Sequence, residues 1–348
     1  MRPIPPLLAA LLATSLSAQA SGDIAVTITP ERATLGKRDD VMVTVTMHNT
    51  GSAPERLPAW RTPFARIDSP LFEMTRDGLP VRYLGRQVKR AAPAEADFLT
   101  LMPGERRSAR VELSALYDMA ATGAYAVRYR GAASSGSESA TSTATVRTGA
   151  MRSNTAAIWI EGRLPRGVAS MAVDAPTGKG LSYAQCSNAQ QETIAQAMSA
   201  GTAMTNDALA YFGKAEVPGK RYVNWFGALD GTRQALVAKH FTAIKDAFDT
   251  KPVKVDCGCD EDYFAYVYPA RPYTIYVCKA FWSAALTGTD SKGGTLLHEM
   301  SHFDAVAGTD DHVYGQSGAA EMARTAPERA VNNADSHEYF GENNPPLN

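Results

Sequence analysis

Thr295-Leu296-Leu297-His298-Glu299-Met300-Ser301-His302 and, shortly after it, Gly308-Thr309-Asp310-Asp311-His312-Val313-Tyr314-Gly315 are the most informative stretches of this 348-residue chain. In the first, two histidines four apart project from one helical face, so both imidazoles can bind one zinc ion. The glutamate after the first histidine then faces the metal's water. Zinc lowers the pKa of such a water toward ~7, and a carboxylate there takes its proton as it attacks a carbonyl. Leu296 and Leu297 suit a helix buried beneath a cleft.

A tetrahedral catalytic zinc needs a third protein ligand and keeps its fourth position for water. Three placements compete. A metzincin layout would require Gly at 305 and His at 308, where the chain has Ala305 and Gly308. A thermolysin-like layout wants a glutamate on a second helix, and Glu321 is near enough to serve. The third placement is Gly308–Gly315, where a glycine can turn the chain back, a carboxylate follows and a tyrosine sits three residues beyond it.

Outward from these motifs, residues 181–348 read as α+β and helix-dominated. Glu192–Tyr211 is Ala-rich and amphipathic, and Val237, Phe241, Ile244 and Phe248 recur on one helical face. Tyr263–Val277 reads as a hairpin interrupted around Pro269–Pro272, and Gly293–Phe303 as a buried helix. Residues 164–180, with Pro165, Gly167, Pro176, Gly178 and Gly180, read as a linker. Before it, residues 21–163 read as an all-β sandwich of immunoglobulin-like type. Val41–Met47 alternates strictly, Arg76-Asp77-Gly78 marks a hairpin between Phe72/Met74 and Val81/Tyr83, and Val111/Leu113, Tyr125/Val127/Tyr129 and Ile158–Ile160 add further strands. The Ser/Ala/Thr/Gly-rich stretch from Gly131 to Ala150 reads as a loop.

The first residues carry Arg2, a Leu/Ala-rich run over Leu7–Leu16 and the small-residue ending Ala18-Gln19-Ala20. This is the pattern of a secretory signal peptide over residues 1–20, cut after Ala20, and the run is too short to cross a bilayer. The four cysteines, Cys186, Cys257, Cys259 and Cys278, all lie in the second half, and an even number in an exported protein argues for disulfides. Cys257 and Cys259 flank one glycine and would strain to pair with each other.

The 35 basic and 36 acidic residues leave a net charge of −1, so no overall basicity points to nucleic acid. Residues 181–348 hold 13 Lys+Arg against 20 Asp+Glu, net −7, which leaves net +6 for residues 1–180. Opposite charge favours docking of the two halves. Lys179 is the one lysine between Lys89 and Lys214, and it sits in the linker, where proteolysis concentrates.

With HExxH and GTxDxxYG both intact at His298–His302 and Gly308–Gly315, the sequence resembles the aspzincin metallopeptidases, the deuterolysin family. The likeness extends through Asn224-Trp225-Phe226-Gly227, Phe264–Pro269, Phe281-Trp282 and Asn333-Ala334-Asp335-Ser336-His337-Glu338-Tyr339-Phe340 to the peptidyl-Lys metalloendopeptidase branch. The resemblance implies a zincin-like catalytic domain holding one zinc through His298, His302 and Asp311, with Glu299 as general base and Tyr314 steadying the oxyanion. It also implies Asp335 and Glu338 as the acids that select Lys after the cut bond, and the pairings Cys186–Cys257 and Cys259–Cys278. The basic first half is similar to the propeptide of bacterial relatives.

The expectation is therefore a secreted, monomeric zinc endopeptidase, inhibited by its own propeptide and acting on polypeptides, with no nucleic-acid or membrane partner. Self-cleavage at Gly178–Lys179 would release the catalytic domain. A deuterolysin of broader specificity, or a non-catalytic secreted binding protein with structural zinc, are the alternatives, and an intact Glu299 speaks against the second. His312 reads as an exposed loop residue, His337 as a surface residue, and His240 as a helical residue with no polar cluster nearby. The region Gly288–Thr295 lacks the phosphate-loop order, and no G-x-S-x-G elbow occurs.

Overall fold

The computed structural model describes residues 23–132, 145–146, 150–162, 176, 180–214 and 219–347. Alternating apolar side chains make the first half β-rich. Its strands are β1 (Ile24–Pro30), β2 (Thr34–Leu35), β3 (Met42–Asn49), β4 (Glu55–Pro58), β5 (Phe72–Arg76), β6 (Leu79–Pro80), β7 (Gln87–Lys89), β8 (Phe98–Leu101), β9 (Arg106–Glu112), β10 (Gly123–Ala132), β11 (Thr145–Val146) and β12 (Ala150–Ile160). Eight of them form one sheet in the order β6-β5-β10-β12-β1-β3-β9, with β2 beside β12, and β11-β4-β8 form a second. Val43, Val45, Met47 and Tyr129 from the large sheet share a core with Leu57 and Leu101 from the small one. Burying such a side chain stabilises by roughly 1.5–3 kcal/mol. The β5–β6 hairpin turns where the sequence marks it, with Asp77 and Gly78 both at positive φ.

The second half comprises β13 (Gly180–Ala184), α1 (Asn188–Phe212), α2 (Lys220–Phe226), α3 (Gly231–Thr250), β14 (Pro252–Asp256), β15 (Ala265–Val267), β16 (Thr274–Val277), α4 (Lys279–Ser283), α5 (Lys292–His302), α6 (Gln316–Thr325), α7 (Pro327–Ala330) and α8 (Ala334–Glu342). Ser187 starts α1 with a capping box, exchanging bonds with Gln190. Ser291 caps α5, its Oγ accepting from Gly294 N. Every residue of α5 is buried. Gly293 permits this, because a Cβ there would meet Ala200 Cβ of α1 at 2.9 Å. The histidine helix is thus set into the core beside α1 and α8 before any chemistry is considered.

β7 belongs to neither sheet of the first half. It completes the sheet of the second half, in the order β13-β14-β16-β15-β7, running antiparallel to β15 with Val88 opposite Tyr266 and Lys89 opposite Ala265. A strand from one half thus lies along the sheet edge of the other, as an extended peptide adds to a receptor by β-augmentation.

Cys186 bonds Cys257 and Cys259 bonds Cys278. The first bridge ties β13 to the end of β14 across 71 residues. Chain entropy assigns a loop of that length about 4 kcal/mol. The double variant Cys186→Ser/Cys257→Ser should lose about that much stability in urea unfolding, and an unchanged midpoint would contradict it. Among the described residues no helix is long and apolar enough to cross a membrane. Ala20, Gly178 and Lys179, and most of the loop between Gly131 and Ala150, lie outside the described residues.

Candidate active site

His298 and His302 stand one turn apart on α5, and the turn after it returns Asp311 to the same point. His298 Nε2 lies 3.1 Å from His302 Nε2 and 3.1 Å from Asp311 Oδ1, and His302 Nε2 lies 3.3 Å from the same oxygen. His302 Nδ1 lies 2.8 Å from the Thr309 carbonyl, so it carries the proton and leaves Nε2 as an acceptor. His298 Nδ1 faces Asp335 Oδ1 at 3.0 Å and Glu338 Oε2 at 3.1 Å, which fixes the same tautomer.

Three buried acceptors therefore point at one another, and neither oxygen of Asp311 receives a hydrogen bond. Such a set needs a cation at its centre. Three donors held ~2.0 Å from a tetrahedral zinc would stand about 3.3 Å apart, so the residues fit this metal. Glu321, the alternative ligand, is instead paired with Arg324 at 2.6 Å on the face of α6.

Glu299 is fully buried, and neither of its carboxylate oxygens has a partner. Burial raises its pKa to about 7, while His298 and His302 pull it down. A carboxyl group so placed exchanges protons near neutrality. Tyr314 is buried, which raises its pKa well above the ordinary value and keeps the hydroxyl a donor. It donates to the Val88 carbonyl at 2.7 Å.

Asp335 and Glu338 lie on α8, three apart and fully buried. Asp335 is locked by accepting from Gly315 N at 2.7 Å. Between the two acids sits the ammonium of Lys89, from the other half of the chain. Its Nζ lies 2.7 Å from Glu338 Oε2, 3.0 Å from Asp290 Oδ1 and 3.6 Å from Asp335 Oδ1. Burial opposes its charge, but Asp335 and Glu338 outweigh burial and raise its pKa well above the usual lysine range. Gln87, just before Val88, is also tied to the site, its Nε2 donating to the Thr309 carbonyl at 3.1 Å and its Oε1 accepting from Asp311 N at 3.1 Å.

Lys89, Gln87 and Asp290 carry no sequence signal of their own. Asp290 sits in a turn at positive φ and accepts from Tyr339 OH at 2.9 Å. Three histidines depart from expectation. His312 is half-buried, with its ring between Arg329 and Asn332, because the loop folds back onto the start of α8. His337 is fully buried rather than on the surface, and His240 is its partner, Nδ1 to Nε2 at 3.0 Å. His337 Nδ1 donates to the Asn333 carbonyl at 2.9 Å, so His240 is the donor within the pair.

Burial lowers the pKa of His240 to about 4 and of His337 to about 3. Both stay neutral in the fold while the unfolded chain takes up protons below about pH 6.5, so stability falls as the pH drops through 6.5 toward 3. The cost is about 2 kcal/mol per imidazole by pH 5. The melting temperature should therefore drop from pH 7 to pH 5, and less so in His240→Gln. An equal drop in that variant would exclude the pair as the cause.

A family model described as lysine-specific metallo-endopeptidase, aspzincin, matches residues 210–342. An extracellular protease of Aeromonas hydrophila is 43% identical over 350 residues, which cover 99% of each chain. Peptidyl-Lys metalloendopeptidases of Armillaria mellea and Pleurotus ostreatus are each 43% identical, over 169 and 167 residues. Those alignments cover 48% and 47% of this chain, 48% of the Armillaria protein and 98% of the Pleurotus protein. A solved zinc peptidase from Grifola frondosa, 43% identical, matches 47% of this chain and 100% of its own, with a TM-score of 0.45.

Proposed function

The chain belongs to the aspzincin family of zinc-dependent metallo-endopeptidases, and from that premise we propose that it is a secreted zymogen that cuts polypeptides on the N-terminal side of lysine. The observation that carries this reading is the Val88–Lys89 peptide laid across the site, with its carbonyl on Tyr314 and its ammonium between Asp335 and Glu338.

In this reading His298, His302 and Asp311 hold the zinc, which when bound supplies a Lewis acid that acidifies water and polarises the carbonyl. Glu299 accepts the water's proton and delivers it to the departing lysine nitrogen. Tyr314 donates to the carbonyl oxygen as negative charge builds there. The edge of β15 aligns the substrate backbone, and Asp335, Glu338 and Asp290 take the ammonium. A compact point charge suits three converging carboxylates, whereas the planar guanidinium fork of Arg does not. Glu299, buried with no partner, supports catalysis over a purely structural metal site, which has no use for it.

The same placement supports a propeptide role for residues 21–163, proposed as an immunoglobulin-like sandwich because its two sheets share one core. The likeness to an extracellular protease supports export, and the small-residue ending Ala18-Gln19-Ala20 supports cleavage after Ala20. Cutting at Gly178–Lys179 would leave a catalytic domain that starts at Lys179, one position before its first strand β13 begins at Gly180.

Processed enzyme stripped by a chelator should lose hydrolysis of a single-lysine peptide and regain it with one zinc per chain. Asp311→Ala should not retain the metal, and a variant that kept stoichiometric zinc would exclude Asp311 as a ligand. Glu338→Gln keeps an acceptor for His298 Nδ1 but removes the charge nearest the ammonium. It should cost about 2 kcal/mol or more of lysine preference, roughly 30-fold in relative kcat/KM. Unchanged preference in a zinc-replete Glu338→Gln enzyme would place selectivity elsewhere.

A further inference from the structure

The strand that fills the site is held on both sides of the bond it presents. Arg86 precedes Val88 by two positions and Arg90 follows Lys89, and both reach the same carboxylate. Asp68 Oδ1 accepts from Arg86 Nε at 2.8 Å and Asp68 Oδ2 lies 3.1 Å from Arg90 Nη2. Arg66 Nε closes the cluster at 3.2 Å from each oxygen. Asp68 is only 5% exposed, so the pairs are sheltered from solvent screening. The flanks also lean on the catalytic half. Arg86 Nη2 donates to Tyr263 OH at 2.9 Å, the Arg90 guanidinium lies 5.0 Å from the Tyr263 ring, and Phe264 N donates to the Lys89 carbonyl at 3.2 Å.

We propose that Val88–Lys89 is a hydrolysable bond of the protein's own chain, and that Asp68 is the positioning residue that makes this segment an inhibitor instead of a substrate. The inference rests on the zymogen reading above and adds how the block is maintained. In hydrolysis, water adds to the Val88 carbonyl carbon, the bond to the Lys89 nitrogen breaks, and Glu299 passes the water's proton to that nitrogen. The products are a Val88 carboxylate and a Lys89 amine. In an ordinary substrate these ends diffuse apart. Here each is joined to an arginine on Asp68, so the amine stays beside the carboxylate at a high effective concentration, and re-formation of the bond competes with departure. The segment is also pre-ordered, so it loses little entropy on docking. Release then requires breaking the Asp68 cluster, not only the peptide bond.

Zinc-loaded full-length chain should therefore show slow loss of Val88–Lys89, read by mass spectrometry as a fragment ending at Val88. Asp68→Ala should lose that bond at least tenfold faster, and activity on an added lysine peptide should rise with it. Should Asp68→Ala fold poorly, Arg90→Ala frees one flank alone and should accelerate the cut in the same direction. A second readout needs no turnover: in metal-free Glu299→Gln chain, adding Asp68→Ala should speed amide hydrogen exchange across residues 86–90 and 265–267. Folded Asp68→Ala and Arg90→Ala chains that cut no faster than wild type, with unchanged exchange there, would overturn the clamp. Failure of the underlying reading would look different, because processed enzyme would then not cut unrelated peptides before lysine.

Discussion

Glu299→Gln should lower peptide hydrolysis by about 10²–10⁴-fold while the chain keeps its zinc. The amide matches the carboxylate in shape but cannot accept the water's proton, and Glu299 lies outside the triangle of His298, His302 and Asp311. Burial raises its pKa, which makes the native group a stronger base than an ordinary carboxylate. Metal analysis and initial rates on the same preparation separate the two roles. Wild-type turnover would exclude Glu299 as the base, and loss of zinc would make it a ligand.

Lys89→Ala should release the uncut chain from its own block. The ammonium is fully buried against Glu338, Asp290 and Asp335, and among the described residues no other lysine or arginine is paired with these carboxylates, so removing it strands them. Breaking a buried pair in this way costs about 3–5 kcal/mol, so docking of β7 should weaken by roughly 10²-fold or more. Combined with Lys179→Ala, to keep the linker whole, the variant should hydrolyse a lysine peptide far faster than the Lys179→Ala parent. Equal rates would mean that the first half blocks the site without using this lysine.

His298, Glu299 and His302 are legible because their geometry is local, whereas Asp311 is one of three placements that only the family likeness decides. A four-residue spacing on a helix fixes both imidazoles, and a glycine-led turn brings Asp311 back within ten residues. The pocket acids were legible only through family likeness, since two carboxylates three apart on a helix are otherwise an ordinary solvated face. Helices α1, α3 and α5 and the β15–β16 hairpin follow from periodicity, as do the long strands β3, β9, β10 and β12. The strand laid across the site, β7, is invisible in the sequence. Gln87-Val88-Lys89 is too short to show alternation, its strand partners are 176 to 180 positions away, and the carboxylates around Lys89 are 201 to 249 positions away. The net +6 and −7 of the two halves suggested that they meet, but not which lysine enters. The pairing of His240 with His337 is hidden in the sequence for the same reason, the two being 97 positions apart and meeting only in the core.

The most direct test of the central claim is the cleavage map of a reduced, denatured, lysine-rich protein digested by the processed, zinc-loaded enzyme. New N-termini should begin almost exclusively with lysine, and chelation should abolish them. N-termini spread over lysine, arginine and leucine alike would contradict the claim that the pocket filled by Lys89 is the one that selects the substrate.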